Sequence, residues 1–392
     1  MAVLFRNSMV FTAETRSFAL GEVLVARGRI LSVSIGKGTD LEAVKTVCDD
    51  VEVINAEGNY LLPGLVDVHT HGRAGGDFST ADETTLRRMA KSYLETGVTT
   101  LMPTLASAPL EALYDAARRI ETVRSETEQD PTCARFAGLH LEGRYLNPAK
   151  RGAHAPHLLA PLDADEAADL LGQCGGAKHI SAALEMAGGF EFLARMRAMG
   201  VTVGLGHTAA TYAEAVEAIE GGAVSMTHLF NAMPPLHHRD GGAVCAGLLS
   251  PRVYCELICD GFHIAPEMVK LAYQLKQDHL TLITDSMEAT GCDDGEYAIA
   301  GMSVVVKDGK ARTVDGAIAG STLSLWEAVR NLQAFAGVTL GEAVYAATLA
   351  PAKQVGLDQE IGSIDVGKRA DLLLVDRDET IVRVMRDGVP VI

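Results

Sequence analysis

The 392-residue chain lacks any apolar run of the ~18 residues that would suggest a membrane span, so we expect a soluble protein. Positive charge is also in deficit: 34 lysines and arginines stand against 51 aspartates and glutamates, a formal net charge of −17. This balance argues against nucleic acid and anionic membrane surfaces as partners. An anionic small-molecule substrate would need a local basic pocket.

Cysteine patterns that build disulfide frameworks or thiolate zinc sites are absent as well. The seven cysteines include no CxxC pair and lie at positions 48, 133, 174, 245, 255, 259 and 292. The N-terminal sequence MAVLFRNSMVFTAETRSF has charged and polar residues where a secretory signal requires an unbroken apolar stretch. We therefore expect reduced cysteines and a cytoplasmic protein.

The two ends of the chain share a pattern that differs from the middle. Short β-like runs at 23–26 and 30–33 are separated by glycine turns, and the runs at 370–376 and 381–385 look the same. Two β-rich ends around a long α/β middle predict one discontinuous domain. We expect a small β-sandwich domain from residues 1–60 and 357–392, flanking a barrel domain at 61–356.

In the middle, apolar β-branched runs alternate with helical stretches, which is typical of parallel strands joined by crossover helices. Helical spacing occurs at 83–95, 110–122, 212–220 and 266–277, whereas 231–250 resembles a long loop. The pattern predicts the α/β class and a (β/α)₈ TIM-like barrel. Its eight runs are 61–68, 99–103, 136–141, 180–184, 201–205, 224–227, 253–258 and 280–284.

Such a barrel carries its active site at the C-terminal strand ends, so the residues that follow each run are informative. A single histidine is more often a hydrogen-bonded core or surface residue, and we assign no role to His157, His179 and His279. A set on five strand ends instead predicts a catalytic Zn²⁺ or Fe²⁺ site without cysteine. These ends carry His69 and His71, which share one side of a strand, then Glu142, His207, His228 and Asp285.

The same residues lie in motifs that resemble a known family. PGLVDVHTHG at 63–72 and GSIDVGKRADLLLVD at 362–376 resemble the opening and closing segments of the amidohydrolase superfamily. Six further motifs resemble the N-acetylglucosamine-6-phosphate deacetylase family. They are HLEGRYLNPAKRGAH (140–154), GHT (206–208), THLFNAMPPLHHR (227–239), DGFH (260–263), TDSMEATG (284–291) and IAGSTLSLWEAVRNL (318–332).

The resemblance implies hydrolysis of the N-acetyl group of N-acetylglucosamine 6-phosphate to glucosamine 6-phosphate and acetate. Amide hydrolysis needs a strong nucleophile, and a metal supplies one by lowering the pKa of water to about 7. Asp285 would act as general base and then general acid, while His154 would help the metal to stabilise the oxyanion. A surface loop position is the alternative for His154.

For the metal, the resemblance implies that Glu142, His207 and His228 are the ligands kept by every member. The His69 and His71 pair occurs in only some members, and its presence implies a second ion bridged by Glu142. We therefore expect one or two divalent ions, Zn or Fe, per subunit. No lysine stands where other amidohydrolases carry a carboxylated bridging lysine, and Glu142 takes its place.

For the substrate, the resemblance makes Arg239 the phosphate contact of the neighbouring active site, which implies a homodimer. Taken alone, Arg239 would be a solvated loop charge. The other implied substrate-binding residues are Ala153, His154, Asn231, Ala232, His263, Ile318, Ala319 and Gly320, of which the glycine permits close backbone approach.

Two departures from the family pattern affect substrate recognition. Arg144-Tyr145 stands where Pro and an aromatic residue are usual, and Asp240-Gly241 replaces Glu-Pro. Arg144 is either an added anion contact or a salt-bridged structural residue. These departures leave the sugar epimer and the phosphate requirement open.

Three alternatives follow from the sequence. A deacetylase of N-acetylgalactosamine 6-phosphate or of another N-acyl amino sugar would use the same residues. A non-catalytic barrel binding protein should have lost ligands or the acid, and none is missing. A cyclic-amide hydrolase resembling dihydroorotase is disfavoured by the missing carboxylated lysine and by the NAMPPLHHR loop.

Overall fold

The computed structural model describes residues 2–39, 50–299 and 301–391, so Cys48 lies outside the described residues. The strands are β1 Ala2–Thr12, β2 Ser17–Ala26, β3 Arg29–Ile35, β4 Val51–Asn55, β5 Tyr60–Pro63, β6 Leu65–Thr70, β7 Gly72–Arg73, β8 Gly76–Asp77, β9 Val98–Ala106, β10 Arg135–Phe136, β11 Gly138–Glu142, β12 Ala177–Ala182, β13 Thr202–Leu205, β14 Ser225–Met226, β15 Tyr254–Ile258, β16 Leu280–Ile283, β17 Gly295–Ile299, β18 Met302–Lys307, β19 Lys310–Thr313, β20 Leu372–Val375, β21 Ile381–Arg386 and β22 Val389–Pro390. The α-helices are Glu83–Glu95, Leu110–Thr127, Ala164–Gly172, Gly189–Ala198, Tyr212–Gly221, Gly242–Leu249, Pro266–Lys276, Leu325–Ala336, Leu340–Ala346 and Leu349–Gln354.

The central sheet is a parallel barrel in the order β6-β9-β11-β12-β13-β14-β15-β16, which confirms the predicted fold class. Its strands are buried on both faces because helices cover the outside, which explains their continuous apolar runs. Between the last and first strands, the Asp285 N–H donates to the His69 carbonyl at 3.0 Å and the His71 N–H donates to Ser286 at 2.8 Å. These bonds join the two ends of the sheet at its C-terminal rim.

A second sheet combines strands from both chain ends, in the order β22-β21-β20-β5-β1-β2-β3, with β4 paired to β1. This confirms the predicted strand-rich unit, while the domain boundaries at 60 and 357 stay a prediction. In the part of the chain that is described, no helix combines the length and apolarity needed to span a bilayer.

Two local predictions were wrong, and one small sheet was not predicted. The run 61–68 is not one strand, because the chain changes sheets at Gly64, where a Cβ would lie 2.1 Å from Thr99 Oγ1. The loop predicted at 231–250 contains the helix Gly242–Leu249, whose small residues are buried on most sides and show no amphipathic pattern. An antiparallel sheet of β17, β18 and β19 follows the eighth barrel strand and was not predicted.

Arg135 ties the barrel to the C-terminal strands. Arg135 lies in β10, after the helix Leu110–Thr127, and is 5% exposed. Its guanidinium donates to Asp371 Oδ2 at 2.8 Å and to Asp387 Oδ2 at 2.6 Å. Both aspartates flank strands of the terminal sheet. One buried guanidinium therefore neutralises two carboxylates from the far end of the chain.

Replacing Arg135 with alanine should destabilise the protein by about 3 to 5 kcal/mol, because Asp371 would be left buried without its partner. The midpoint of chemical unfolding measures the loss. Arg88→Ala, on an exposed helix face, is the control and should leave the midpoint almost unchanged. Equal midpoints for the two variants would show that Arg135 does not hold the sheets together.

Candidate metal centre

The buried carboxylate of Glu142, at the end of β11, lies between two pairs of histidines. Its Oε1 is 2.8 Å from His228 Nε2 and 3.1 Å from His207 Nε2. Its Oε2 is 2.9 Å from His71 Nε2 and 3.4 Å from His69 Nε2. The ends of four barrel strands or their following turns supply these five side chains, so the rim brings together all the predicted metal ligands.

Asp285 completes one side of the cluster from the end of β16. Its Oδ1 lies 3.2 Å from His71 Nε2 and 3.6 Å from His69 Nε2. The carboxylates of Glu142 and Asp285 therefore share the same two imidazoles. Donor atoms of His69, His71, Glu142 and Asp285 all lie within 4.8 Å of one another, close enough to hold a metal ion.

The donor spacing fits divalent cations better than hydrogen bonds alone. His207 Nε2 and His228 Nε2 are 3.1 Å apart and face the same carboxylate oxygen. Ligand atoms at the corners of a Zn²⁺ tetrahedron are separated by about 3.3 Å. His69 Nε2 is buried without a hydrogen-bond partner in the described residues, which leaves its lone pair free for an ion.

Two of the histidines are oriented by hydrogen bonds from their Nδ1 atoms, which lie on the side of the ring away from Glu142. His207 Nδ1 donates to the Lys150 carbonyl at 2.8 Å, and His69 Nδ1 donates to Glu256 Oε2 at 3.2 Å. A proton held on Nδ1 leaves Nε2 unprotonated and directed at the site, as metal ligation requires.

The pKa values of Glu142 and His71 show that the buried carboxylates are stabilised by neighbouring positive charge. Burial raises the pKa of Glu142, but the charge of His69 and hydrogen bonds from His207 and His228 outweigh burial and hold the pKa well below normal. Burial lowers the pKa of His71, yet hydrogen bonds to Asp285 and Glu142 raise it to about 9. A divalent cation can replace the protons that these carboxylates would otherwise hold on the imidazoles.

His154 approaches from the loop after β11 as a neutral donor. The Ser107 backbone N–H donates to His154 Nδ1 at 3.3 Å, so the imidazole proton sits on Nε2, 3.9 Å from Glu142 Oε2. Burial, followed by the charge of His207, lowers the pKa of His154 to about 3. His154 is buried in the cavity wall and is not a surface loop residue.

The backbone is strained at the rim. His207, His228 and Asp285 have positive φ values of 46°, 32° and 48°, in the left-handed region that side chains other than glycine rarely occupy. Each such residue costs of order 1 kcal/mol and persists where the surrounding structure requires it. Three side chains of the cluster therefore project from strained backbone positions.

A cavity of about 290 Å³ opens over the cluster. Ala319 is fully buried behind its wall, and Arg239 lies exposed on the 235–240 loop and does not line it. Among the described residues, no lysine or arginine contributes to the lining. The lining residues that the sequence predicted are His71, Glu142, Ala153, His154, His207, His228, Asn231, Ala232, His263, Asp285, Ile318 and Gly320.

Sequence reasoning missed several residues around the site. Ile299 and Ala317 line the cavity from the unpredicted antiparallel insertion, and Ser107 orients His154. Glu256 lies behind His69, and its only sequence signal was a single acid inside the apolar run 253–258.

The structure distinguishes the two alternatives for Arg144. Its Nε donates to Glu166 Oε1 at 2.9 Å, and the Tyr145 hydroxyl donates to the same oxygen at 2.8 Å. Arg144 does not line the cavity. Arg144 is therefore a salt-bridged structural residue in this fold.

The sequence profile of the amidohydrolase family matches residues 60–391. An N-acetylgalactosamine-6-phosphate deacetylase of Escherichia coli O157:H7 is 36% identical, covering 83% of this chain and 86% of the relative. An N-acetylglucosamine-6-phosphate deacetylase of Vibrio furnissii is 33% identical, covering 84% of this chain and 82% of the relative.

The solved structures that superpose on this chain include some with the same name as the Vibrio furnissii relative. A mutant N-acetyl-D-glucosamine-6-phosphate deacetylase from Mycobacterium smegmatis, in complex with N-acetyl-D-glucosamine-6-phosphate, superposes with a TM-score of 0.89. It is 32% identical, and the match covers 100% of this chain and 99% of that one. The chain therefore belongs to the amidohydrolase family, in the group that contains the N-acetylglucosamine-6-phosphate deacetylases.

Proposed function

We propose that this protein hydrolyses the N-acetyl group of N-acetylglucosamine 6-phosphate and releases glucosamine 6-phosphate and acetate. The observation that carries the proposal is the convergence of Asp285 and the His/Glu donor set at the floor of one cavity. The sequence relatives and the substrate complex of the Mycobacterium smegmatis enzyme support this choice of substrate.

The residues present fit one or two divalent ions, Zn²⁺ or Fe²⁺, because imidazole and carboxylate are ligands that suit both. Glu142, His207 and His228 would hold the primary ion. His69 and His71 would hold a second ion with Glu142 as the bridge. When bound, such an ion lowers the pKa of water and polarises a carbonyl oxygen.

The protein side chains would manage the protons. Asp285 is buried and its pKa is lowered: burial raises the pKa, but the charge of His69 and the hydrogen bond and charge of His71 outweigh burial. The ionised carboxylate can take a proton from the attacking water and return it to the departing nitrogen. The Nε2–H of neutral His154 can donate to the acetamide oxygen as negative charge develops there.

The phosphate group of the substrate would require a positively charged side chain other than those of the residues that line the cavity. Arg239 is exposed on its loop, consistent with a role in the neighbouring active site of a homodimer. His263 donates from Nδ1 to Asp260 Oδ2 at 2.6 Å, which leaves Nε2 for the ligand. The sugar site would be shaped by Ala153, Asn231, Ala232, Ile318, Ala319 and Gly320.

We also propose a cytoplasmic location, which the six free cysteines among the described residues support.

Asp285→Asn should lower the rate of acetate release by at least ~100-fold, because asparagine cannot accept the proton. Metal content should stay near that of the wild type, since the other five candidate ligands remain. Acetate assay and elemental analysis on the same preparation check both results. Asp115→Asn, on an exposed helix face, is the control. Retained turnover would remove Asp285 from its proposed role.

Mixing the inactive Asp285→Asn protein with Arg239→Ala protein should restore activity. In a mixed dimer, one site has Asp285 from one subunit and Arg239 from the other, so random mixing gives about a quarter of the wild-type rate. The mixture is assayed after subunit exchange at substrate concentrations where each variant alone is poorly active. No gain on mixing would mean that Arg239 does not act across a dimer interface.

The galacto epimer is a second candidate, because the Escherichia coli relative is named for N-acetylgalactosamine 6-phosphate. We expect kcat/KM to be highest for N-acetylglucosamine 6-phosphate and to fall by ~100-fold or more without the phosphate, since paired charge contacts would be lost. Parallel assays on both epimers and the unphosphorylated sugars measure this. A preference for an unphosphorylated sugar would contradict the role given to Arg239.

A further inference from the structure

Glu256 is a fully buried acid in the middle of β15, inside the barrel and behind the metal centre. Its Oε2 accepts from His69 Nδ1 at 3.2 Å and from the His228 backbone N–H at 3.4 Å. Its Oε1 accepts from Gln354 Nε2 at 2.6 Å. Barrel interiors are usually filled by apolar side chains, so a carboxylate here needs a reason.

Core packing alone does not account for this arrangement. A buried charge is costly even when paired, and an apolar residue of similar volume would often be neutral or stabilising. Glu256 contacts β6 through His69 and the turn after β14 through the His228 backbone. It therefore touches both halves of the histidine set without lining the cavity.

The contact with His69 decides which of its ring nitrogens carries the proton. An acceptor at Nδ1 holds the proton there, so the buried Nε2 presents a lone pair 3.4 Å from Glu142 Oε2. His71 Nδ1 and His228 Nδ1 have no hydrogen-bond partner in the described residues, and His207 Nδ1 is held by a backbone carbonyl. Among these four histidines, only His69 has a carboxylate behind it.

We propose that Glu256 is a positioning residue that fixes His69 as a ligand and strengthens binding of the ion that His69 and His71 share. A carboxylate behind a ligating imidazole raises the basicity of the ligand and adds negative charge one ring away from the cation. The inference rests on the proposed metal-dependent function but concerns the affinity of one ion, which can be measured without substrate.

The test compares Zn²⁺ and Co²⁺ binding to metal-depleted wild type and Glu256→Gln by chelator competition. Glutamine keeps the size of the side chain but loses the charge, and affinity for one ion should fall by about 10- to 100-fold. Affinity for the ion held by Glu142, His207 and His228 should stay unchanged. The ring ¹⁵N resonances of wild-type His69 should show the proton on Nδ1.

Glu22→Gln is a matched control, because it neutralises another buried carboxylate, paired with Arg6 in the terminal sheet. It should leave both affinities unchanged. Glu256→Asp retains the charge and should recover part of the lost affinity. If Glu256→Gln fails to fold, Glu256→Asp serves as the test. Its affinity for the ion shared by His69 and His71 should lie measurably below that of the wild type.

A double-mutant cycle shows whether Glu256 acts through His69. His69→Gln should weaken the same ion, and adding Glu256→Gln should cause no further loss. Unchanged affinity in Glu256→Gln, fully additive losses, or equal weakening of both ions would each overturn the proposal. Wild-type protein that binds metal in the expected pattern but releases no acetate would instead contradict the proposed function and leave the inference about Glu256 intact.

Discussion

The buried carboxylate of Glu142 is the constraint on which the rest of the site depends. Its two oxygens face four imidazole nitrogens at 2.8 to 3.4 Å in a buried cluster at the floor of the cavity. A buried carboxylate is tolerated only with compensating positive charge, and the raised pKa values of His69 and His71 show that these imidazoles hold protons when no cation is bound. Divalent cations would satisfy the carboxylates and the lone pairs together, which is why we treat the cluster as a candidate metal centre.

The barrel makes this convergence possible. Parallel strands deliver their C-terminal ends to one rim, and the backbone bonds at Asp285 and His71 join the last strand to the first beside the cluster. The neutral donor His154 and the ionised acid Asp285 then both line the cavity, one carrying a proton and the other without one. Such a division between a proton donor and a proton acceptor is what amide hydrolysis requires.

Much of this could be predicted from sequence, because buried parallel strands produce unbroken apolar runs and the chemistry follows each run directly. The positions of the candidate metal ligands were accessible for that reason, as His207 and His228 show. The change of sheet at Gly64 could not be predicted, because the apolar pattern continues through it. Glu256 was missed because a residue within a strand has no rim signal, and Ser107 because a serine outside the recognised motifs gave no indication of its contact with His154.

If the cluster works as proposed, deacetylation requires bound metal. The most direct measurement is the number of metal ions per chain, determined together with acetate release from N-acetylglucosamine 6-phosphate before and after metal removal. We expect one or two ions per chain, loss of turnover when the metal is removed, and recovery when Zn²⁺ or Fe²⁺ is restored. Full turnover in protein shown to contain no metal would contradict this expectation.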